Sequence, residues 1–258
     1  MKTREARDLG ARLAGLVQRG ELPEAYSLLF PVLSERTKFD MLRLIGHPIG
    51  MEPLSQVNTF LELIGADKTE GGWVIIGSAL EMQLDRDRSG ALARCRNYII
   101  AGDVWYAADI LGEQVPGNAL KADFESSLRL LAPWRVNENR WVRRAVGVSA
   151  HHWAKRARGA DEKRDQAAEL LDFLEPSFGE WQIDAAKGTG WGLKTLGRYY
   201  PDLTAAWLRE QVVVRKRRHR AIILRKALTY LSPEQRAYAT GVSTLGARLF
   251  SAAPQNAR

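Results

Sequence analysis

Trp105 and Asp109 are the pair in this sequence best suited to chemistry. They lie four residues apart in Asp103-Val104-Trp105-Tyr106-Ala107-Ala108-Asp109-Ile110-Leu111-Gly112, so on a helix they project from one face, one turn apart. An aromatic ring face attracts a cation through its quadrupole, and a fixed carboxylate favours positive charge where it develops. The same spacing also serves a core tryptophan beside a solvated or capping aspartate. Two later stretches are read as built to converge on the pair. One is Asn139-Arg140-Trp141-Val142-Arg143-Arg144, and the other is Lys187-Gly188-Thr189-Gly190-Trp191-Gly192-Leu193-Lys194, with Arg198 one turn further on.

The charge map says what such residues would meet. The formal net charge of the 258 residues is +8, but residues 1–129 carry a net of −3 and residues 130–258 a net of +11. Arginine-rich positive charge interleaved with Trp and Tyr points to a polyanion held by the C-terminal half, nucleic acid before a membrane surface. The candidates are Arg140, Arg143 and Arg144 with Trp141 at the start of one helix, where free backbone N–H groups also attract anions. Lys187, Lys194 and Arg198 join them from a second helix. The densest run, Arg215-Lys216-Arg217-Arg218-His219-Arg220, is read as one side of an amphipathic helix over 216–231. Cys95 is the one cysteine, which excludes an intrachain disulfide and a cysteine-based zinc site. It is read as a packed thiol. No residue cluster has metal-ligand spacing, and neither metal nor cofactor is expected. No apolar run of about 18 residues appears, so no membrane span is expected. The first residues lead into an amphipathic pattern without a signal-peptide core, and a reducing, cytoplasmic setting is expected, nucleoid-associated in a bacterium.

The elements that must position these residues are helices. Ala6, Leu9, Leu13, Leu16 and Val17 make one apolar stripe that Gly20 ends, and the pattern predicts further helices after Pro23 and over 39–45. Gly46-His47-Pro48-Ile49-Gly50 reads as a breaker, with His47 a loop or cap residue. Beyond it helices are predicted near 53–65, 71–84, 88–101, 103–112, 118–131, 138–156, 162–174, 180–199, 203–213, 216–231 and 233–250, with a frayed end from Ser251. Alternating β-branched runs with hairpin turns are missing, so no sheet is expected. Trp-Val recurs at Trp73-Val74 and Trp141-Val142, 68 residues apart, and each is followed by glycine, Gly77 and Gly147. Trp105 lies between them, and intervals that hold two helices each predict a helical-repeat solenoid. The chain is read as a single helical-repeat domain over 1–258, with N-terminal capping helices over 1–50. Its groove would be lined by basic residues, mainly within 139–230.

At these residues the chain resembles the AlkD-type DNA alkylation-repair proteins, which are built from HEAT-like repeats. Gly190-Trp191-Gly192-Leu193-Lys194, with Pro201 following Arg198-Tyr199-Tyr200, is similar to the Gly-Trp-Ala-Leu-Arg signature of that family. Trp141-Val142-Arg143-Arg144-Ala145 is similar to its Trp-x-Arg-Arg segment, and Trp105 and Asp109 match its tryptophan and catalytic aspartate in spacing. The likeness covers roughly 70–210. It departs at Tyr106, where an acidic residue is frequent, and at Gly192 and Lys194, which stand for Ala and Arg.

The resemblance implies an enzyme that hydrolyses the N-glycosidic bond of cationic N3- or N7-alkylated purines in duplex DNA without flipping the base. Asp109 would stabilise the sugar cation and position water. Trp105 and Trp191 would pack on the backbone around the lesion, and one of Arg143 and Arg144, by motif position Arg144, would hold a phosphate. A monomer acting on double-stranded DNA is implied. The alternatives are a non-catalytic HEAT-like protein that binds branched or distorted DNA, and a protein-binding solenoid.

Overall fold

Apolar residues at helical spacing, broken by short polar or glycine punctuation, give a chain made of helices. The computed structural model describes residues 1–242, in two units, one over Met1–Pro133 and one from Trp134 onward. Among the described residues there is no strand. The fold is all-α with HEAT-like repeat packing.

The first unit comprises α1 (Thr3–Gln18), α2 (Leu22–Ser34), α3 (Phe39–Met51), α4 (Leu54–Ala66), α5 (Glu70–Glu81), α6 (Leu84–Gly102), α7 (Trp105–Gly112), α8 (Asn118–Ala122) and α9 (Phe124–Leu131). Its main contacts run α1 to α3, α3 to α5 and α5 to α7, so every second helix belongs to one layer. Layering of this kind is the packing of a helical repeat, in which each helix pair buries its apolar face on the next. α5 lies at the centre, with every residue from Gly72 to Leu80 buried.

The second unit comprises α10 (Arg140–Ala157), α11 (Arg164–Phe173), α12 (Glu175–Phe178), α13 (Ile183–Tyr199), α14 (Pro201–Arg209), α15 (Ala221–Ala227) and α16 (Pro233–Thr240). It repeats the pattern: α10 packs on α13 and α13 on α15, while α14 packs on α16.

Glycine makes the layers close. A Cβ on Gly46 would sit 2.7 Å from the carbonyl oxygen of Ile75, and one on Gly192 would sit 2.7 Å from that of Gly147. A Cβ on Gly147 would run into the backbone of Gly188 itself. Two backbones approach this nearly only where at least one of them lacks a side chain at the contact.

The Gly46–Gly50 stretch is therefore not the expected breaker. It lies inside α3, and its glycines are the contact surface against α5. Pro48 removes a single N–H from that helix, and His47 sits on the helix with Nε2 3.6 Å from Glu81. The end of α3 is held by Arg86, whose guanidinium donates to the carbonyls of Gly50, Met51 and Glu52.

The expected helix over 216–231 also differs. Residues 215–220 form a loop, and α15 begins only at Ala221. Five cationic side chains in six consecutive positions would repel one another on a turn and a half of helix, whereas in the loop Arg215, Arg217, Arg218 and Arg220 find partners outside it. Arg215 and Arg217 both pair with Glu175. Arg220 donates to the carbonyl of Trp181, and the Arg218 guanidinium lies 5.8 Å from the Trp181 ring.

The predicted helix over 118–131 is split at Asp123, whose side chain caps α9. The expected helix over 233–250 is seen as α16 up to Thr240; its remainder and the end beyond Ser251 lie outside the described residues. Cys95 is buried with its Sγ 3.8 Å from the Leu111 carbonyl, and burial pushes its thiol pKa up, as a packed thiol requires.

Two glycine substitutions should separate packing from propensity. Gly147→Ala should destabilise the fold by about 1–3 kcal/mol, because the added carbon meets backbone rather than a side chain that can turn away. Gly15→Ala, whose Cβ would meet nothing nearer than the Arg19 guanidinium at 3.4 Å, should stabilise by about 0.5–1 kcal/mol through helix propensity. Urea unfolding midpoints of the two variants, moving in opposite directions, check the pair.

Candidate functional site

α7 is short but firmly fixed. Asp103 ends α6 with φ 45°, a left-handed residue that reverses the chain into α7. Ala107, Ala108, Ile110 and Leu111 are buried. At Gly102 a side chain would collide with Ala107 and the Trp73 indole. After Gly112 the helix widens into a π-helical turn over Glu113–Gly117. Pro116 has no N–H to give to a carbonyl four residues back, which favours the wider turn there. The turn carries Gln114 inward, where its Oε1 accepts a 2.8 Å hydrogen bond from Ser78 of α5. That bond ties α7 to the central helix.

On the outer face of this anchored helix stand the expected pair. Trp105 is its first residue and is 55% exposed, with its ring edge-on to Tyr106 at 5.7 Å. Asp109 follows one turn later and is part-buried.

In the second unit the residues sort by helical register. At 100° per residue, Lys187, Trp191, Lys194 and Arg198 of α13 fall within a sector of about 60°. On α10, Arg140, Arg144, Gly147, His151 and Lys155 form the matching stripe. The Gly147–Gly188–Gly192 contact brings the two helices together. Arg144 is 8% exposed, lies along Gly188 and donates from Nη1 to the Asp184 carbonyl at 3.1 Å. Lys187 and Arg140 sit 3.9 and 3.7 Å from the Asp184 carboxylate. Lys194 and Arg198 both lie over the Tyr230 ring, at 5.3 and 5.2 Å, so their stems are steered by one aromatic face.

Trp191 is held from behind. Its ring stacks on His151 with centroids 4.1 Å apart and planes 23° off parallel. The Thr195 hydroxyl donates to the Trp191 carbonyl, and its oxygen lies 2.7 Å from His151 Nδ1. A hydroxyl has one hydrogen, so it accepts from an Nδ1–H, which fixes the imidazole tautomer. Burial first, then the nearby Lys155 and Lys194 charges, lower the His151 pKa to about 4. The ring is neutral at physiological pH.

Two of the expected site residues are placed elsewhere. Arg143 leaves the stripe: its Nε donates to Glu180 at 2.6 Å and its Nη1 to the carbonyls of Asn137 and Glu138. Trp141 is only 6% exposed and is covered by the Arg140 guanidinium at 4.8 Å. Nor is the start of α10 an open anion site, because Asn139 Oδ1 accepts from the N–H groups of Trp141 and Val142. Sequence reasoning missed His151, Thr195 and Tyr230 as supports. His151 was reachable, since it continues the register of Arg140 and Arg144. Among the described residues no group of His, Cys, Asp and Glu is placed to hold a metal ion, and no helix is long and apolar enough to cross a membrane.

A family model described as DNA alkylation repair enzyme matches residues 57–231, a span that takes in α7, α10, α13 and α15. No curated protein and no solved structure matches the chain.

His151 makes a pH prediction whose sign is fixed. Its folded pKa of about 4 lies below the ordinary 6.5, so between those values the unfolded chain binds more protons. The stability from this residue is complete above pH 6.5 and is lost as pH falls through 4. His151→Phe keeps a ring against Trp191 but cannot titrate. Urea unfolding of both proteins across that window should show the wild-type midpoint falling more steeply; parallel curves would contradict a His151 buried in its neutral form.

Proposed function

This chain belongs to the DNA alkylation repair enzyme family, and we propose that it is a glycosylase for cationic N3- or N7-alkylated purines in duplex DNA. The observation that best supports this reading is Trp105, half exposed on an anchored helix, with Asp109 one turn away on the same face.

Alkylation at a ring nitrogen gives the purine a positive charge. When the C1′–N bond breaks, its electron pair neutralises the base, so the leaving group needs no proton from an acid. The positive charge appears instead on the sugar as an oxocarbenium-like centre. A carboxylate near that centre interacts more strongly with the transition state than with the substrate, and this difference accelerates the step. Asp109 takes this role and orients the water that adds to C1′; the water's second proton leaves to solvent. The face of Trp105 packs on the deoxyribose beside the lesion, and its quadrupole also favours the developing cation.

Trp191 and the cations of α10 and α13 hold the DNA backbone. Arg144, Lys187, Lys194 and Arg198 meet phosphates, and Trp191, stiffened by His151, packs against sugar. As the family resemblance implies, the base is left in the stack, unlike the extruded base of most glycosylases.

Single-turnover release of N7- or N3-methylated purine, read by alkaline cleavage of the abasic product, tests the reading. Asp109→Asn should slow release by about two to three powers of ten, the loss expected from one such electrostatic contact, with duplex affinity little changed. Equal rates would remove Asp109 from the mechanism, and no release by the wild type would leave a non-catalytic DNA-binding protein.

A further inference from the structure

Lys226 belongs to α15 and lies outside the dense basic run. Its position relative to α13 is set by a glycine. A Cβ on Gly190 would fall 2.8 Å from Lys226 Cδ and 3.2 Å from its Cβ, so the lysine stem lies directly on the bare backbone of α13. Arg144 does the same from the other neighbour, with its Cγ 2.9 Å from where a Gly188 Cβ would be. At 100° per residue, Gly188 and Gly190 face nearly opposite ways, and the Lys187–Trp191–Lys194–Arg198 stripe lies between them. The stems of two long basic side chains therefore lie on α13 at its two flanks, on either side of one stripe.

We propose that Lys226 is a phosphate-binding residue, its ammonium carried over Gly190 to complete an anion cradle with Arg144, Lys187 and Lys194 that takes a DNA phosphodiester beside Trp191. This assignment rests on the reading of the chain as a DNA-binding repair enzyme.

The charge balance supports it. Among the described residues no carboxylate lies within ion-pair distance of Lys226 or Lys194, and Asp184 is engaged with Arg140 and Lys187. Partial burial, then the charges of Lys194, Arg144, Arg225 and Lys187, hold the Lys226 ammonium below the ordinary lysine range. Two neighbouring ammoniums, Lys226 and Lys194, repel one another, and a phosphate oxygen placed between them relieves that repulsion. The ligand chemistry is one dispersed negative charge with several acceptor oxygens, which a phosphodiester provides and a neutral sugar or base does not.

The test is the salt dependence of affinity for an undamaged synthetic duplex, followed by fluorescence anisotropy with the full chain. Lys226→Met keeps the stem and removes the charge. It should lower the slope of log K against log salt by about one unit and weaken binding to all sequences alike, roughly tenfold near 0.1 M salt. Lys226→Arg should keep the slope. Gly190→Ala should reproduce the loss with the lysine still present, because the new methyl displaces its stem. Lys121→Met removes an exposed charge on α8 and should leave the slope at the wild-type value.

A wild-type slope in Lys226→Met would overturn the assignment while leaving DNA binding intact. A wild type that binds duplex without salt dependence, or not at all, would instead remove the DNA-binding reading together with it. Circular dichroism on each variant identifies any that fails to fold, and for such a variant the Lys226→Arg comparison decides.

Discussion

The second unit depends on one backbone contact, the approach of α10 to α13 at Gly147, Gly188 and Gly192. Side chains normally hold two packed helices about 8–10 Å apart; here glycines on both partners remove that spacer. The consequence is registration. With the axes this close, Arg144 reaches the Asp184 carbonyl, His151 stacks on Trp191, and Thr195 meets the imidazole. Each of these is a short-range interaction that a separation larger by an ångström would weaken or abolish. The same device serves the first unit, where Gly46 and Gly50 bring α3 onto α5. α5 is the helix that receives Gln114 from the turn after α7.

The arginines show why net charge and binding charge differ. Arg143 is spent on Glu180 and two carbonyls, Arg86 on the end of α3, and Arg215 and Arg217 on Glu175. These guanidiniums work as fixed forks that satisfy acceptors inside the fold. Lys194 and Arg198 of the α13 stripe differ in what surrounds them, which is the Tyr230 ring rather than a carboxylate. The positive half of the chain thus contains a structural set and a surface set, and only partners in space separate them.

That separation also marks where the sequence was legible. The helical class could be read from 3.6-residue periodicity, and the Trp105–Asp109 face from spacing alone, because both depend on neighbours along the chain. Gly46–Gly50 could not. Glycine and proline break a helix when solvent surrounds them and admit a partner when another helix does, and the composition is the same in both cases. The run from Arg215 to Arg220 failed for a related reason, since its helical pattern was outweighed by Glu175 and the Trp181 carbonyl, some 40 residues away. For Lys226 the local pattern says only that it lies on the positive side of the helix expected after the basic run; its place against Gly190 comes from another helix.

The layered packing also bears on how the chain acquires its structure. The bonds that join successive layers close loops of similar length: Gly50 to Arg86, Ser78 to Gln114, Arg143 to Glu180, Arg144 to Asp184 and His151 to Thr195 span 36, 36, 37, 40 and 44 residues. The entropy of closing a loop grows only with the logarithm of its length, so within each unit every layer meets nearly the same kinetic toll. Folding can then begin at any well-packed helix pair and spread by accretion, and a ribosome releasing the chain in order presents each layer with its neighbour already formed.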